Sequence, residues 1–427
     1  MSVDYRLPYA SEIDLTEWIR KGDLVTWGQG AAEPVSLVER LLEQRHAIGE
    51  FRVLLGTSYA GLVTPDHADV ISFTGFGAVG RSAQRLAAQR RLGVIPVNLS
   101  EVPRLLRNGR VRVDVLVLQV SNNGGKDYRL GAVNGYVHEA IAQARTVIAE
   151  VNTNAPWPTS STVLPADAFS LMVQSSRPLV EVHEREPTPE DREIARRVAQ
   201  HIGDGATLQL GIGGVPAAVA TLLADRKHLG LHSGVIGDSV LKLLRSGAID
   251  NSRKIHDHGV SVTGLLAGTS DLYDFADHNP TLRIEPVTYT HDPAVLASIP
   301  SFTAINSALE VDLTGQVGAE VAHGSYIGTI GGQADFARGA LASPGGCSII
   351  GLPARTRRTQ EPRIVPLLRS GVVSTPRSEA DVVVTEYGAA HLRGATLEQR
   401  VERMIAIAHP EDRSRLREEA TRLVGTH

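Results

Sequence analysis

The chain has 427 residues, more than one ordinary hydrophobic core holds, and this length predicts two or three domains. Its 43 Lys and Arg residues stand against 47 Asp and Glu residues, and the formal net charge of −4 gives no basic footprint for nucleic acid or for an anionic membrane surface. The one cysteine, Cys347, cannot close an internal disulfide, which fits a reducing compartment.

The sequence contains no pattern of a membrane span or of a secretory leader. The N-terminal residues MSVDYRLP lack an apolar stretch behind a basic end, and no run approaches about 18 apolar residues. We therefore expect a cytoplasmic protein that binds neither nucleic acid nor membrane. The histidines stand singly, without the spacing of a metal site, so we expect no metal.

Strand and helix patterns alternate along the first half of the chain. Residues 11–20 have a helical pattern, and the turn at Gly22 and Asp23 leads into an apolar strand at residues 24–27. A glycine-bearing turn follows, and Pro34 marks the start of a helix. Further strands are expected at residues 51–55, 70–73, 94–97, 113–120 and 146–151, and further helices near residues 81–90, 101–108 and 134–145.

The run from residue 113 to residue 120 is almost wholly apolar, which is typical of a central strand buried on both faces of a parallel sheet. Gln119 interrupts this run near the carboxyl end of the strand. Two interpretations stay open for its amide. It satisfies neighbouring backbone groups, or it serves a site at the strand end.

The best domain boundary lies within residues 175–191, where three prolines stand among alternating charges. Thr188 and Pro189 there have the pattern of a helix N-cap followed by proline in the first turn. Beyond them the order helix, Gly-Asp turn, strand, glycine tip, proline, helix repeats the order found up to Pro34. We predict an α/β protein of two similar domains with mostly parallel sheets, residues 1–185 and residues 186–427.

Two glycine-bearing strand ends in the second half predict a ligand crevice. Gly211, Ile212 and Gly213 follow one strand, and His232 and Gly234 stand at the end of the next, with a helical segment between. Ligands of such βαβ units collect beyond the carboxyl ends of the strands. The loop matches neither a P-loop nor a dinucleotide fingerprint, so close packing of strand on helix is the alternative to a mobile flap. His232 is the candidate general base, with a structural role as the alternative.

A denser glycine cluster occupies residues 328–348. Six glycines, together with Gln333 and Arg338, would bring backbone N–H groups and side-chain donors to phosphate or pantetheine oxygens. Turn formation explains some of these glycines. At residues 385–388 the sequence TEYG follows a strand and places the carboxylate of Glu386 at another loop, where surface solvation is the alternative.

Five motifs, in order along nearly the whole chain, resemble the acetyl-CoA hydrolase/transferase family: GQGAAEP (28–34), LQLGIG (208–213), AINSALEVDLTGQ (304–316), GGQADF (331–336) and VTEYG (384–388). That family includes the class I 4-hydroxybutyrate and butyryl CoA-transferases. The resemblance implies two CoA-transferase-type domains, a homodimer, and an acyl-CoA substrate whose coenzyme A is held mainly by the second domain. It also implies a small acceptor, namely a carboxylate, water or another nucleophile, and a reaction at the interface of the two domains.

The resemblance, together with the glycine cluster, assigns residues to the site. Gly211 to Gly213 become the mobile loop beside the thioester, and Gln119 falls where the first domain reaches the site. The coenzyme A set is Gly211, Ile212, Gly213, Asn306, Gly331, Gly332, Gln333, Phe336, Arg338, Ser343 and Gly345, and the catalytic set is Glu33, Gln119, His232 and Gly234.

Members of the family use a glutamate nucleophile, which attacks the acyl-CoA carbonyl and passes through a mixed anhydride to a glutamyl-CoA. The corresponding motif here reads His232-Ser233-Gly234-Val235, so the resemblance places Gly234 where the glutamate stands. Three hypotheses follow. In the first, an acceptor attacks the thioester directly, with His232 or Glu33 as base and with room for the acceptor above Gly234. In the second, a displaced carboxylate such as Glu33 performs ordinary CoA transfer, and in the third the chain binds acyl-CoA without catalysis.

Overall fold

The computed structural model of the protein describes residues 6–424. Residues 1–5, part of the segment from which we predict the absence of a leader, lie outside the described residues. The strands are β1 (Leu24–Trp27), β2 (Phe51–Leu55), β3 (Ile71–Gly75), β4 (Leu92–Val94), β5 (Val115–Val120), β6 (Asp127–Tyr128), β7 (Thr146–Asn152), β8 (Leu164–Pro165), β9 (Leu171–Ser175), β10 (Thr207–Leu210), β11 (Gly230–Ile236), β12 (Ser261–Leu266), β13 (Leu282–Ile284), β14 (Phe302–Asn306), β15 (Glu310–Asp312), β16 (Val317–Gly318), β17 (Val321–Ala322), β18 (Ser325–Tyr326), β19 (Cys347–Gly351), β20 (Ile364–Val365), β21 (Val382–Thr385) and β22 (Gly388–His391).

The helices, in chain order, are α1 (Val35–Ile48), α2 (Arg81–Ala88), α3 (Val102–Arg107), α4 (His138–Ile141), α5 (Pro189–Val198), α6 (Gly214–Leu222), α7 (Asp238–Ser246), α8 (Ser270–Ala276), α9 (Val287–Thr290), α10 (Pro293–Ser298), α11 (Gln333–Ala342), α12 (Leu397–Ile407) and α13 (Arg413–Val424). Among residues 6–424, no helix is both long enough and apolar enough to cross a membrane.

The chain forms two compact units, and the first comprises Met1–Val182 and Gly264–Tyr289. Its main sheet has the strand order β4-β3-β2-β1-β5-β7-β9, and neighbouring strands are parallel throughout. All six residues of β5 are buried, which confirms the predicted central strand. Because the strands are parallel, their carboxyl ends meet at one edge, where Gln119 and the loop after β1 lie.

The second unit comprises His183–Thr263 and Thr290–His427. Here β11-β10-β14-β19-β21-β22 are neighbours in this order, and only the final pair of this set is antiparallel. The strands β11-β10-β14-β19-β21 repeat the arrangement β2-β1-β5-β7-β9 of the first unit, since in both sheets the first strand in chain order lies between the second strand and the fifth. The predicted α/β class is confirmed, and the shared order supports the predicted duplication.

One segment distinguishes the compact units from the two predicted domains. Gly264–Tyr289 follows the start of the second half in sequence, but it belongs to the first unit. Backbone hydrogen bonds tie it there, from Asn134 N to Gly264 O (3.1 Å) and from Leu266 N to Ala132 O (2.9 Å). The sequence gives no sign of this return, because hydrogen bonds between distant backbone groups leave no local pattern.

Two predicted helices are wrong in extent. Residues 11–20 form two 3₁₀ turns, Ala10–Glu12 and Leu15–Glu17, because the Asp14 carboxylate accepts from Thr16 N (2.9 Å) and starts a second turn. Residues 134–145 contain only the short α4, since Gly135 has φ +56° and interrupts any helix there. The start of α5 is as predicted, with Thr188 Oγ1 accepting from Asp191 N (3.2 Å).

Candidate functional site

A cleft of about 740 Å³ lies at the carboxyl ends of the parallel strands in the second unit. The loop Ile212 to Gly214 follows β10, Ser307 follows β14, Pro353 follows β19, and Glu386 with Tyr387 follows β21. The first residues of α5 and α6 complete the wall. Its size falls in the range of small-molecule sites, and its position is the one where ligands of open α/β sheets bind.

The glycine loop in this cleft has a backbone that only glycine fits well. Gly213 has φ +124° and is the N-cap of α6, with no side chain capping the helix. Gly214 opens α6, and a Cβ on it would collide with the ion pair of Arg185 and Asp191 (2.8 Å). The loop therefore brings the amino end of α6, with its unsatisfied N–H groups and partial positive charge, to the cleft.

Four arginines line the cleft, and they differ in what already holds them. Arg355 is tied to Asp412 (2.9 Å) and Glu411 (2.7 Å), which fixes its guanidinium in place. Arg357 is exposed, whereas burial lowers the pKa of Arg363, whose Nη1 donates to Ala308 O (3.4 Å). A guanidinium remains charged under such a shift. Arg357 and Arg363 are therefore the cations best placed to receive an anionic ligand.

Asn306 ends β14 beside this cleft and forms a reciprocal amide pair with Gln209 of β10. Gln209 Nε2 donates to Asn306 Oδ1 (3.3 Å), and Asn306 Nδ2 donates to Gln209 Oε1 (3.0 Å). After β10 the chain continues to β11, which lies on one side of β10, and after β14 it continues toward β19, which lies on the other side. The pair therefore marks the switch point of the sheet. In this state the Asn306 amide holds the strand ends together.

His232, Ser233 and Gly234 lie inside β11 and not at a strand tip as predicted. β11 continues past the end of β10, and Ser233 Oγ donates to Leu210 O (2.9 Å), the last residue of β10. His232 is fully buried, its Nε2 lies 3.1 Å from Thr290 O, and its ring packs edge to face on Phe302. Its contacts are thus those of a structural histidine, and the role of general base has no support from its exposure.

A side chain at position 234 would meet a neighbouring imidazole, so the space that a glutamate would need there is occupied. A Cβ on Gly234 would lie 2.8 Å from Cε1 of His291, 3.0 Å from its Nε2 and 3.2 Å from Cε2 of Phe336. A Cβ on Gly332 would collide with the same imidazole. The rings of His291 and Phe336 pack against each other in a tilted arrangement, with centroids 4.5 Å apart, and both residues are nearly inaccessible. The His291 ring is therefore enclosed by two glycines and a phenylalanine.

The predicted glycine cluster divides between the two ends of α11. Gly331 has φ +56°, Gly332 caps the helix, and Gln333 Nε2 donates to Thr375 Oγ1 (3.2 Å), all at the amino end beside His291. Arg338 pairs with Asp335 (3.0 Å) and Glu379 (3.5 Å) farther along the helix.

Ser343 and Gly345 lie between the end of α11 and the amino end of β19. The Ser343 hydroxyl donates to Ile299 O and accepts from Phe302 N (3.2 Å). Gly345 has φ +71° in the turn that follows. Both residues are at the edge of the sheet opposite the cleft, because β19 leads away from them toward Pro353.

Glu33, a candidate base, is buried in the first unit with both carboxylate oxygens engaged. Ser58 Oγ donates to Oε1 (2.7 Å), while the amides of Tyr59 and Ala60 donate to Oε2 (2.8 Å each). Burial raises the pKa of Glu33 to about 7, and these hydrogen bonds oppose the rise. The carboxylate thus clamps the loop after β2 onto the turn after β1.

Gln119 supports the same turn from β5. Its Nε2 donates to the backbone oxygen of Glu33 (3.0 Å), whereas its buried Oε1 has no hydrogen-bond partner in the described part of the chain. The interpretation in which the amide satisfies a neighbouring backbone group is therefore correct for one of its two polar atoms. An unsatisfied buried acceptor is costly, so the Oε1 atom remains a candidate contact for a ligand or a water molecule.

Several residues that the geometry adds to the candidate site have little or no signal in the sequence. His291 stands alone in the sequence, and nothing local relates it to Gly234. The arginines have a weak signal, because the run Arg355-Thr-Arg-Arg358 begins four residues after the end of β19, in a loop at the strand ends where ligands of α/β sheets bind. Ser58 and Tyr59 have none, since ordinary loop residues reveal a buried carboxylate partner only in three dimensions.

The fold and the site define a class of protein: two related α/β units, with an arginine-bearing cleft at the strand ends of the second. Residues 3–167 match the acetyl-CoA hydrolase/transferase N-terminal domain, and residues 268–420 match the C-terminal domain of the same name. The chain belongs to the acetyl-CoA hydrolase/transferase family and is an enzyme of that family, as the motif resemblance implies. Neither matched range includes residues 168–267, which hold the glycine loop and Gly234.

Similarity to individual proteins extends over nearly the full length. The chain is 37% identical to 4-hydroxybutyrate coenzyme A transferase of Clostridium kluyveri, over 92% of this chain and 93% of that one. RipA from Yersinia pestis superimposes with a TM-score of 0.92 at 31% identity, with 98% of each chain covered. A 4-hydroxybutyrate CoA-transferase from Porphyromonas gingivalis does so with a TM-score of 0.82 at 33% identity, again with 98% of each chain covered.

Proposed function

We propose that this protein cleaves an acyl-CoA thioester by direct attack of the acceptor on the acyl carbonyl, with water as the simplest acceptor. Coenzyme A is the part of the substrate that carries the acyl group. No acyl group passes through a carboxylate of the enzyme. The observation that carries this proposal is the enclosure of Gly234, the position that the motif resemblance gives to the glutamate nucleophile, by His291 and Phe336.

The arrangement favours direct attack over covalent transfer for a chemical reason. A carboxylate nucleophile must reach the acyl carbon and afterwards hold the CoA as a thioester. Gly234 has no side chain, and the neighbouring space belongs to two packed rings. Glu33, the displaced carboxylate of the second hypothesis, has both oxygens occupied by three donors, so an attack from it would first break the loop clamp.

The cleft supplies a place for the phosphates of coenzyme A. Arg357 and Arg363 provide charge, and the amino end of α6 provides N–H groups beside the Gly211 to Gly213 loop. The pantetheine arm would then run from the cleft along the strand ends toward Gly331 and Gly332. Ser343 and Gly345 are not part of this proposed path, because they lie at the opposite edge of the sheet.

CoA transfer to a small carboxylate is the second candidate, and the names of the relatives favour it. Both the Clostridium kluyveri and the Porphyromonas gingivalis proteins are called 4-hydroxybutyrate CoA-transferases. A transferase without a glutamate at position 234 would need another carboxylate to carry the CoA. A cytoplasmic location and a homodimer remain predictions for either function.

Trapping separates these functions. The protein is incubated with acetyl-CoA, thiol release is followed, and the enzyme is then treated with borohydride and weighed by intact mass spectrometry. We expect steady thiol release and an unchanged protein mass. A mass change located on a carboxylate would establish covalent CoA transfer instead, and binding of acetyl-CoA by calorimetry without thiol release, with water or with added carboxylates, would leave only the binding role.

A further inference from the structure

His291 contributes a polar edge at the point where the reaction is proposed. Its Nδ1 lies 2.9 Å from the hydroxyl oxygen of Thr290, which occupies that nitrogen. Its Nε2 lies against Gly234 and Gly332, since a Cβ would lie 3.0 Å from this nitrogen on Gly234 and closer still on Gly332. The ring itself cannot move freely, because Phe336 packs against it and only 2% of His291 is exposed.

The imidazole is held in its neutral form. Burial, with a smaller contribution from His232, lowers the pKa of His291 to about 3. In the proposed tautomer the Thr290 hydroxyl donates to Nδ1, so the single proton of the neutral imidazole lies on Nε2, which is then a hydrogen-bond donor. Such a donor can stabilise negative charge on a carbonyl oxygen without adding a full charge to a buried site.

We propose that His291 determines the reaction type of this enzyme, since its ring takes the space that a side chain at position 234 requires and its Nε2–H donates to the thioester oxygen. The proposal rests on the proposed function. When the acceptor attacks the acyl carbon, the carbonyl electron pair moves to the oxygen, which accepts a hydrogen bond from the Nε2–H. The pair then returns, the carbon–sulfur bond breaks, and CoA leaves as the thiolate. The acceptor's proton goes to solvent.

This role means that a glutamate at position 234 and a histidine at position 291 exclude each other. A glutamate at position 234 needs a Cβ that lies within 3.0 Å of two imidazole atoms, and carbon contacts this short are strongly repulsive. The buried His291 ring has little freedom to withdraw. The double substitution Gly234→Glu with His291→Ala removes the collision and supplies a carboxylate, while either substitution alone does only one of these things.

The test measures two activities on four proteins: the wild type, Gly234→Glu, His291→Ala and the double variant. The activities are thiol release from acetyl-CoA in water and butyrate-dependent formation of butyryl-CoA from acetyl-CoA. We expect His291→Ala to lower kcat for thiol release about 10²-fold with KM changed less than threefold, because a transition-state donor is lost. We expect butyryl-CoA, and a borohydride-trapped adduct at position 234, from the double variant alone.

Controls separate a failure of this inference from a loss of packing and from a failure of the proposed function. His291→Gln retains an N–H donor near the Nε2 position and is expected to recover at least a tenth of wild-type kcat, whereas His291→Leu, which has a similar volume but no donor, is expected to remain as slow as His291→Ala. If the wild type releases thiol and His291→Ala matches it, the inference fails and the proposed function stands. If Gly234→Glu alone makes butyryl-CoA as fast as the double variant, the exclusion is refuted. If the wild type releases no thiol, the proposed function itself has failed.

Discussion

The Glu33→Gln variant is expected to be more stable than the wild type by roughly 3 kcal/mol at pH 8.5 and equally stable near pH 4. Burial raises the pKa of Glu33 from 4.5 to about 7, so the folded state binds the proton more tightly than the unfolded state does. The wild type therefore loses stability as pH rises from about 4.5 to about 7, and the loss is complete above that range. The amide in the variant cannot titrate and escapes this loss.

The geometry of the clamp permits this exchange. A protonated carboxyl at position 33 keeps one oxygen as acceptor for the amides of Tyr59 and Ala60, while its O–H turns toward Ser58 Oγ. The carboxamide of the Glu33→Gln variant has the same pattern, with one acceptor and one donor. Urea unfolding at pH 4, 6 and 8.5 measures the difference.

Glu39→Gln is the matched control, because its carboxylate pairs with Arg177 at the surface (2.6 Å) and is 40% exposed. We expect it to change the free energy of unfolding by less than about 1 kcal/mol at any of these pH values. Equal pH profiles for the wild type and Glu33→Gln would contradict the raised pKa. Thiol release from acetyl-CoA also tests the remaining role of Glu33, since loss of a general base would cost about 10²-fold or more in rate.

The second large expected effect follows from removing two of the four cleft arginines, Arg357 and Arg363. In the double variant Arg357→Ala and Arg363→Ala, we expect the Kd for CoA to rise about 100-fold, because each charge-assisted contact to phosphate contributes about 1.5 kcal/mol. The affinity for pantetheine, which has no pyrophosphate and no ribose phosphate, should change less than threefold. Calorimetric titration with the two ligands at one salt concentration gives both values.

Arg358→Ala is the matched control for the cleft. Arg358 is exposed and adjacent in sequence, but it does not line the cleft. The Arg358→Ala variant should leave the Kd for CoA within twofold of wild type and should lower the salt dependence of binding only slightly. If the double variant binds CoA as tightly as Arg358→Ala does, the phosphates of coenzyme A bind elsewhere.

Local patterns predicted a good part of the fold. The apolar run of β5, the capping residues of α5 and the glycine turn before α6 each depend on neighbours in sequence, and all three are present. The helices predicted at residues 11–20 and 134–145 are absent or shortened for reasons that are also local. A side chain at Asp14 and a left-handed glycine at position 135 outweighed a helical pattern that was only suggestive.

The candidate site likewise contains residues that local sequence patterns predict and residues whose setting depends on distant parts of the chain. Gly211 to Gly213 could be predicted, because a glycine turn between a strand and a helix has a local signature, and the cleft is indeed there. His232 was chosen as the base because it stands beside a glycine in the sequence. Its accessibility depends on Phe302 and Thr290, which reach it from other elements, and they bury it completely.

By itself the sequence determined two related α/β halves, the glycine loop, the absence of glutamate at position 234 and membership of a family. These properties follow from residue type and from short-range periodicity. Only the tertiary structure decided what fills the space of the absent side chain, because His291 is brought to Gly234 by the path of the chain around the sheet. The same is true of the raised pKa of Glu33, since burial and the donors at residues 58–60 exist only once the loop has closed.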